Sequence, residues 1–293
     1  MKYTNFLNLP EPLVNAVVND DYDRGSSDIT VTELLSPPRK VALEKMHSDE
    51  LVTDVSESMW ALIGQAVHSI LERSGTTGRT EERMYAEVLG WKVGGKFDHY
   101  FQRKNKWVLQ DWKIVSAWEG LNGPKPERAM QLNLLAYLLR TNGEPVDEVE
   151  IVYIFRDWSK RDSMNNDSYP KQQVMVYSME LMEYEAQLDM MRKLVSEHQQ
   201  AQGTVLPLCS AEDRWEKPEK WAVMKDGRKS ALRLLDSEAD AVRWAEENAK
   251  GKYDLVRRPG ESTRCLMYCY AAPFCDQWAE IQSAGRGADL TSA

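Results

Sequence analysis

Asp98, Asp111 and Lys113 are the residues whose types and spacing suit a chemical task. They fall in two stretches rich in β-branched and aromatic residues, WKVGGKFDHYF and KWVLQDWKIV, joined by the polar Arg103-Lys104-Asn105-Lys106, which is the texture of a β-hairpin. A turn centred between Lys104 and Asn105 pairs residues whose numbers add to 209, and Asp98 and Asp111 are such a pair. Directly opposed residues hold their Cβ atoms about 4.5–5.5 Å apart, so both carboxylates reach one hard divalent cation. Lys113, two residues on, shares that face. Two carboxylates forced together resist ionisation, and a bound Mg2+ or Mn2+ removes that cost. An ammonium alongside can orient or help deprotonate an attacking water, which completes the parts needed to hydrolyse a phosphodiester. A bare Asp-x-Lys is also what an ion-pair ladder on a sheet surface looks like. The Gly-Gly-Lys-Phe-Asp strand, the hairpin and the apolar neighbours of Asp-Trp-Lys favour the chemical reading.

The elements that must position these residues can be read along the chain. Residues 57–74 carry Met59, Leu62, Ile63, Ala66, Val67, Ile70 and Leu71 at the spacing of an amphipathic helix. Trp60, Gly64 and His68 follow one another at four-residue intervals beside that stripe, with His68 at the edge of the buried face. MYAEVL, from Met84, reads as a strand before the hairpin, and a helix runs from near Glu127 to a stop at Asn142-Gly143. VEIVYIF and QQVMVYS are further strands, followed by a long helix marked by Leu181, Tyr184, Leu188, Met191 and Val195. Residues 211–262 change in texture: WAVMK, the turn Asp226-Gly227, SALRLL, a helix from Ser237 and YDLVRR make a small ββαβ insert.

Four cysteines form the second constellation. Cys265, Cys269 and Cys275 are a compact triplet, and Cys209 precedes them with the insert between, so that four thiolates make one closed site. Such positions argue for a bound metal or cluster, and the spacing is looser than the Cys-x2-Cys knuckle common in zinc modules.

At 293 residues the chain is long enough for one main core and an appended module, and 42% hydrophobic with 28% charged residues is the balance of a globular protein. No apolar run approaches the roughly 20 residues of a membrane span. The expectation is a cytoplasmic protein, where cysteines bind metal rather than pair as disulfides. A net charge of −9 means that any contact with DNA must come from local basic patches. Arg39 and Lys40, the run from Lys220 to Arg233, and Arg257 with Arg258 are the candidates.

Taken in order, GQAVH, GGKFD and DWK resemble the motifs of the RecB-like branch of the PD-(D/E)xK nucleases, which includes CRISPR-adaptation and many phage-encoded exonucleases. The resemblance implies that His68, Asp98, Asp111 and the main-chain carbonyl of Trp112 surround the metal, with Lys113 beside them. It makes Glu87, in the preceding strand, a holder of a second ion or a water. The branch's Gln-x3-Tyr motif, which contacts DNA or supports the site, points to Gln131, but Leu135 stands four residues on, leaving Tyr137 six away or Asn133-x3-Tyr137 as a substitute. ITVTELLSPPRK is similar to the segment where those relatives place a cysteine before proline and arginine; Ser36 stands there instead, and Arg39 becomes a phosphate contact. Cys209 with Cys265, Cys269 and Cys275 resembles the 4Fe-4S clasp of several of these nucleases, with Zn2+ as the alternative, and in the family that clasp is a structural device that ties the C-terminal tail to the nuclease core.

The expected fold is therefore α/β, a mixed central sheet flanked by helices like a restriction endonuclease core over residues 1–205, with the insert and the four-cysteine site over 206–293. The implied function is hydrolysis of DNA, exonucleolytic on ends or single strands, in phage recombination or replication with the proteins of that process. A structure-specific or restriction-type endonuclease is one alternative. A DNA- or partner-binding protein with a vestigial site is the other.

Overall fold

The computed structural model describes residues 1–20, 24–75, 77–249 and 251–289, with side chains as far as Ser283. The chain divides into two compact units, Met1–Pro38 with Val52–Leu206, and Arg39–Leu51 with Pro207–Ala293. The first is built on a mixed sheet of β1 (Ile29–Thr30), β2 (Arg79–Val88), β3 (Trp91–Arg103), β4 (Lys106–Val115), β5 (Glu148–Phe155) and β6 (Val174–Met179). Its spatial order is β1-β3-β4-β5-β6, with β2 paired to β3. Helices α1 (Met59–Glu72), α2 (Pro126–Thr141) and α3 (Tyr184–Gln200) accompany it, so the α/β reading of the sequence holds.

Two-residue turns set the registers. Lys104 and Asn105 have φ of 49° and 63°, the left-handed pair of a type I′ hairpin, and Arg103 then faces Lys106. Leu89 and Gly90, at 50° and 77°, do the same between β2 and β3, where Val88 faces Trp91. β4 and β5 are parallel from Val108↔Glu148 to Val115↔Phe155, and parallel neighbours need a crossover, which includes α2. Every residue from Leu132 to Leu139 in α2 is buried. The helix presses on β3 at Gly95, where a Cβ would come within 2.6 Å of Leu135 Cδ2 and 2.8 Å of Leu138 Cδ1; only glycine admits so close an approach. α1 keeps its predicted stripe, yet no residue in it is fully buried, and Trp60, Ile63 and Ile70 remain exposed.

The second unit contains the ββαβ module as β7 (Lys220–Lys225), β8 (Arg233–Leu235), α4 (Glu238–Asn248) and β9 (Tyr253–Arg258). Its antiparallel sheet runs β8-β7-β9, and Val223, Ala241 and Ala245 form its small core.

Candidate functional site

β3 and β4 pair in the register expected from their turn, from Arg103↔Lys106 to His99↔Gln110, and then part. β4 continues alongside β5, while β3 continues between β1 and β2. The parting comes at the next pair in register, Asp98 and Asp111. Instead of a ladder bond, the Trp112 N–H donates to Asp98 Oδ2 at 2.6 Å. On the other edge of β3, Glu81 lies between the pairs Thr80↔His99 and Glu82↔Phe97, which puts it opposite Asp98. Its φ of 52° is left-handed, uncommon for a glutamate, and interrupts that ladder at the same level.

Around this fork the side chains converge. His68 Nδ1 lies 2.9 Å from Glu81 Oε1 and 3.5 Å from Asp98 Oδ1, and its Nε2 lies 3.1 Å from the Trp112 carbonyl oxygen. Ligand atoms of His68, Glu81 and Asp98 fall within 4.8 Å of one another. Lys113 Nζ sits 2.7 and 2.6 Å from the two carboxylate oxygens of Asp111, and Gln131 donates to Asp111 Oδ1 at 3.2 Å. Lys96 pairs with Glu81. His68, Glu81, Lys96, Asp98 and Gln131 line a cavity of about 600 Å³.

Burial and charged neighbours together set the electrostatics. Asp98 and Asp111 are both buried. Burial first, then the charge of Asp111, pushes the Asp98 carboxyl up to about 7. Burial opposes the charged form of His68, but the hydrogen bond to Glu81 and the charges of Asp98 and Glu81 outweigh it and raise its pKa. Glu81 is likewise opposed by burial, yet its hydrogen bonds with His68 and Lys96 hold its carboxyl below the usual range. The imidazole of His68 with the carboxylates of Glu81 and Asp98 is a donor set suited to a hard divalent cation, while Asp111 beside them is engaged by Lys113 and Gln131.

The structure thus brings together His68, Asp98, Asp111, Trp112, Lys113 and Gln131. It does not bring Glu87, which is exposed near the far end of β2 opposite Lys92. Six residues of strand, about 20 Å, separate it from Glu81. Tyr137 is buried and stacked on Tyr184, with ring centroids 5.4 Å apart, so it packs the core rather than meeting a strand of DNA. Arg39 is only 4% exposed in the second unit, donating to Cys275 Sγ at 3.3 Å and to the Pro207 carbonyl at 3.3 Å and pairing with Asp276, and so is withdrawn from any phosphate.

Glu81 is the site residue that reading the sequence misses. The strand begins at Arg79, not Met84, because RTEER is too polar to look like one. The signal lay in the Leu89-Gly90 turn: it pairs residues whose numbers add to 179, which sets Glu81 opposite Asp98.

In the second unit Cys209, Cys265, Cys269 and Cys275 are free thiols around one small cavity, also lined by Arg39 and Leu43. Burial, then the charge of Asp213 and the neighbouring Cys275 and Cys265, pushes the Cys209 thiol up to about 12. Burial likewise raises Cys265 and Cys269, and adjacent cysteines add to it. Gln277 clamps the Cys209 backbone, accepting its N–H and donating to its carbonyl, each at 2.8 Å.

No family model matches the chain, and no curated protein matches it. Among solved structures, SSO0001 aligns over 63% of this chain and 83% of its own at 19% identity and a TM-score of 0.45. A protein of Eubacterium rectale named as a candidate exonuclease aligns over 58% of this chain and 65% of its own, at 15% identity and a TM-score of 0.31. Likeness at this level says nothing of what the chain does. Among the described residues no helix is long and apolar enough to cross a membrane.

Proposed function

We propose that the chain is a divalent-metal-dependent deoxyribonuclease of the RecB-like PD-(D/E)xK branch, acting as an exonuclease on DNA ends or single strands in recombination or replication. The observation that carries the reading is the convergence of His68, Glu81, Asp98 and the Asp111–Lys113 pair where β3 and β4 part. His68, Asp98, Asp111 and the Trp112 carbonyl would hold Mg2+ or Mn2+, with Glu81 beside them. A bound divalent ion supplies a Lewis acid for the scissile phosphate and a counter-charge for the buried carboxylates.

The remaining work belongs to the side chains. Lys113, held by both oxygens of Asp111, presents an ammonium that orients the attacking water and steadies the negative charge growing on the phosphate. Gln131 fixes the Asp111 carboxylate from α2. Lys96 neutralises Glu81 and keeps it aimed at His68.

In the second unit the four cysteines would hold a 4Fe-4S cluster, with Zn2+ as the alternative. Thiols that burial and mutual proximity keep protonated ionise readily only against a cation, and the Arg39 N–H to Cys275 sulfur contact is the kind of support a ligating thiolate receives. Its role would be to tie the tail of the chain together.

The test is to incubate the protein, with and without Mg2+ or Mn2+, with end-labelled linear single- and double-stranded DNA and with closed circular DNA, beside Asp111→Ala and Lys113→Ala. Metal-dependent loss of linear DNA alone, abolished in both variants, supports the exonuclease. Nicked circles turn the reading to an endonuclease. No cutting by the wild type, or equal cutting by the variants, overturns the catalytic assignment in favour of a binding protein.

A further inference from the structure

The face of α1 that carries His68 extends beyond the carboxylate cluster. Trp60, Gly64 and His68 stand at four-residue intervals and so lie one above another along the helix. Gly64 and His68 line the cavity, and a Cβ placed on Gly64 would meet nothing within 4 Å, so the space beside the helix is open. Trp60 is eight residues from His68, about 12 Å along the axis. Its side chain is 61% exposed, and the Arg156 guanidinium lies over its ring, 4.3 Å from the centroid.

A second path through the fold leads to the same place. Arg156 follows β5 directly, and its N–H donates at 3.0 Å to the carbonyl of Val115, the last residue of β4. Val115 is four residues beyond Asp111, about 13 Å of strand. Measured along the helix from His68 or along the strand from Asp111, the Trp60–Arg156 pair stands equally far from the cluster. Trp118, 72% exposed, opens from the short helix Ala117–Leu121 that follows β4. The C-terminal ends of parallel strands β4 and β5 thus present exposed indoles and a cation, at the edge where α/β sheets hold their ligands.

An exposed indole beside an arginine is the pairing that single-strand-binding surfaces use: the ring takes the face of a base and the cation the backbone. A base inside a duplex has both faces covered by its neighbours and has none to offer. We infer that Trp60, with Arg156, is a stacking platform for an unpaired nucleobase of the DNA strand, and that it selects single strands or frayed ends. This rests on the nuclease reading and deepens it. At the ~3.4 Å rise of a stacked strand, 12 Å sets that base about three or four nucleotides from the bond cut.

The test is fluorescence anisotropy in Ca2+ with a labelled oligothymidylate, the same strand with one abasic site moved along it, and a blunt DNA hairpin whose loop is a base-free linker, using wild type, Trp60→Ala, Trp60→Phe and Arg156→Ala. Trp60→Ala is expected to weaken oligothymidylate binding about 10-fold or more, with Trp60→Phe restoring most of it and hairpin binding unchanged within about twofold. Arg156→Ala weakens the single strand in the same sense. One abasic position costs the wild type what Trp60→Ala costs, and costs that variant nothing further. Undiminished single-strand binding in Trp60→Ala, or an equal loss on the hairpin, overturns the platform, while wild-type cutting in Mg2+ leaves the nuclease reading intact. A wild type that neither binds nor cuts any of these DNAs overturns both.

Discussion

The Asp98 carboxylate accepts the backbone N–H of Trp112 at 2.6 Å, and the carbonyl of that same Trp112 lies 3.1 Å from His68 Nε2. One residue of β4 thus serves two members of the cluster through its main chain. The bond stands at the level where the β3–β4 ladder stops.

Two substitutions at Asp98 separate these roles. Asp98→Asn keeps an oxygen for the Trp112 N–H and removes the charge, so the protein should stay folded with wild-type thermal stability and lose metal-dependent cutting. Asp98→Ala leaves a buried N–H without its acceptor and should cost about 1–3 kcal/mol in denaturant unfolding besides losing activity. Equal stability of the two variants would separate the fork from the Asp98–Trp112 bond.

Lys113→Ala removes the ammonium near the reacting phosphate and leaves the carboxylates. Turnover should fall by about 100-fold or more with KM little changed, because the lysine acts on charge that grows in the transition state. A raised KM with turnover intact would make Lys113 a binding residue only.

Glu81 and Glu87 lie on one strand and should answer differently to the same change. Glu81→Gln should raise the Mn2+ concentration needed for half-maximal cutting by roughly 10- to 100-fold, the usual effect of losing a group that supports a metal site. Glu87→Gln should match the wild type. The metal titration of cutting rate decides between them.

The cysteine site predicts a metal content. Protein purified without oxygen should carry iron and sulfide, or zinc in the alternative, by elemental analysis, and Cys275→Ser should lose most of it. Arg39→Ala should lower the content and make the unfolding of the second unit sensitive to chelator. A wild type free of iron and zinc would return the four thiols to ordinary packing.

Asp54 makes stability depend on acid. The Ser56 hydroxyl foremost, then the Phe6 N–H, hold its carboxyl down to about 2 from an ordinary 3.8. A depressed folded value stabilises the protein above the ordinary value, and the contribution fades as pH falls from about 3.8 towards 2. Asp54→Asn should therefore lower the melting temperature near neutral pH, and the gap from the wild type should close in that acid window.

Much of this protein was legible from residues in a row. A turn of two residues dictates which side chains face each other, so the Lys104–Asn105 hairpin was enough to set Asp98 against Asp111 with Lys113 beside them; periodicity was enough for α1, the Asn142-Gly143 stop marked the end of α2, and strand texture and turns gave the ββαβ module. What only the tertiary structure decided were the meetings between elements. Glu81 rather than Glu87 joins the cluster because β2 begins in a polar stretch and stays in register with β3 down to Asp98. Arg39 goes to the cysteines, because the segment Arg39–Leu51 packs with residues more than 160 positions away. Tyr137 goes to the core because Tyr184 of α3 covers it. Local backbone geometry fixes neighbours across a turn, whereas burial is settled by whichever distant surface arrives to exclude the water.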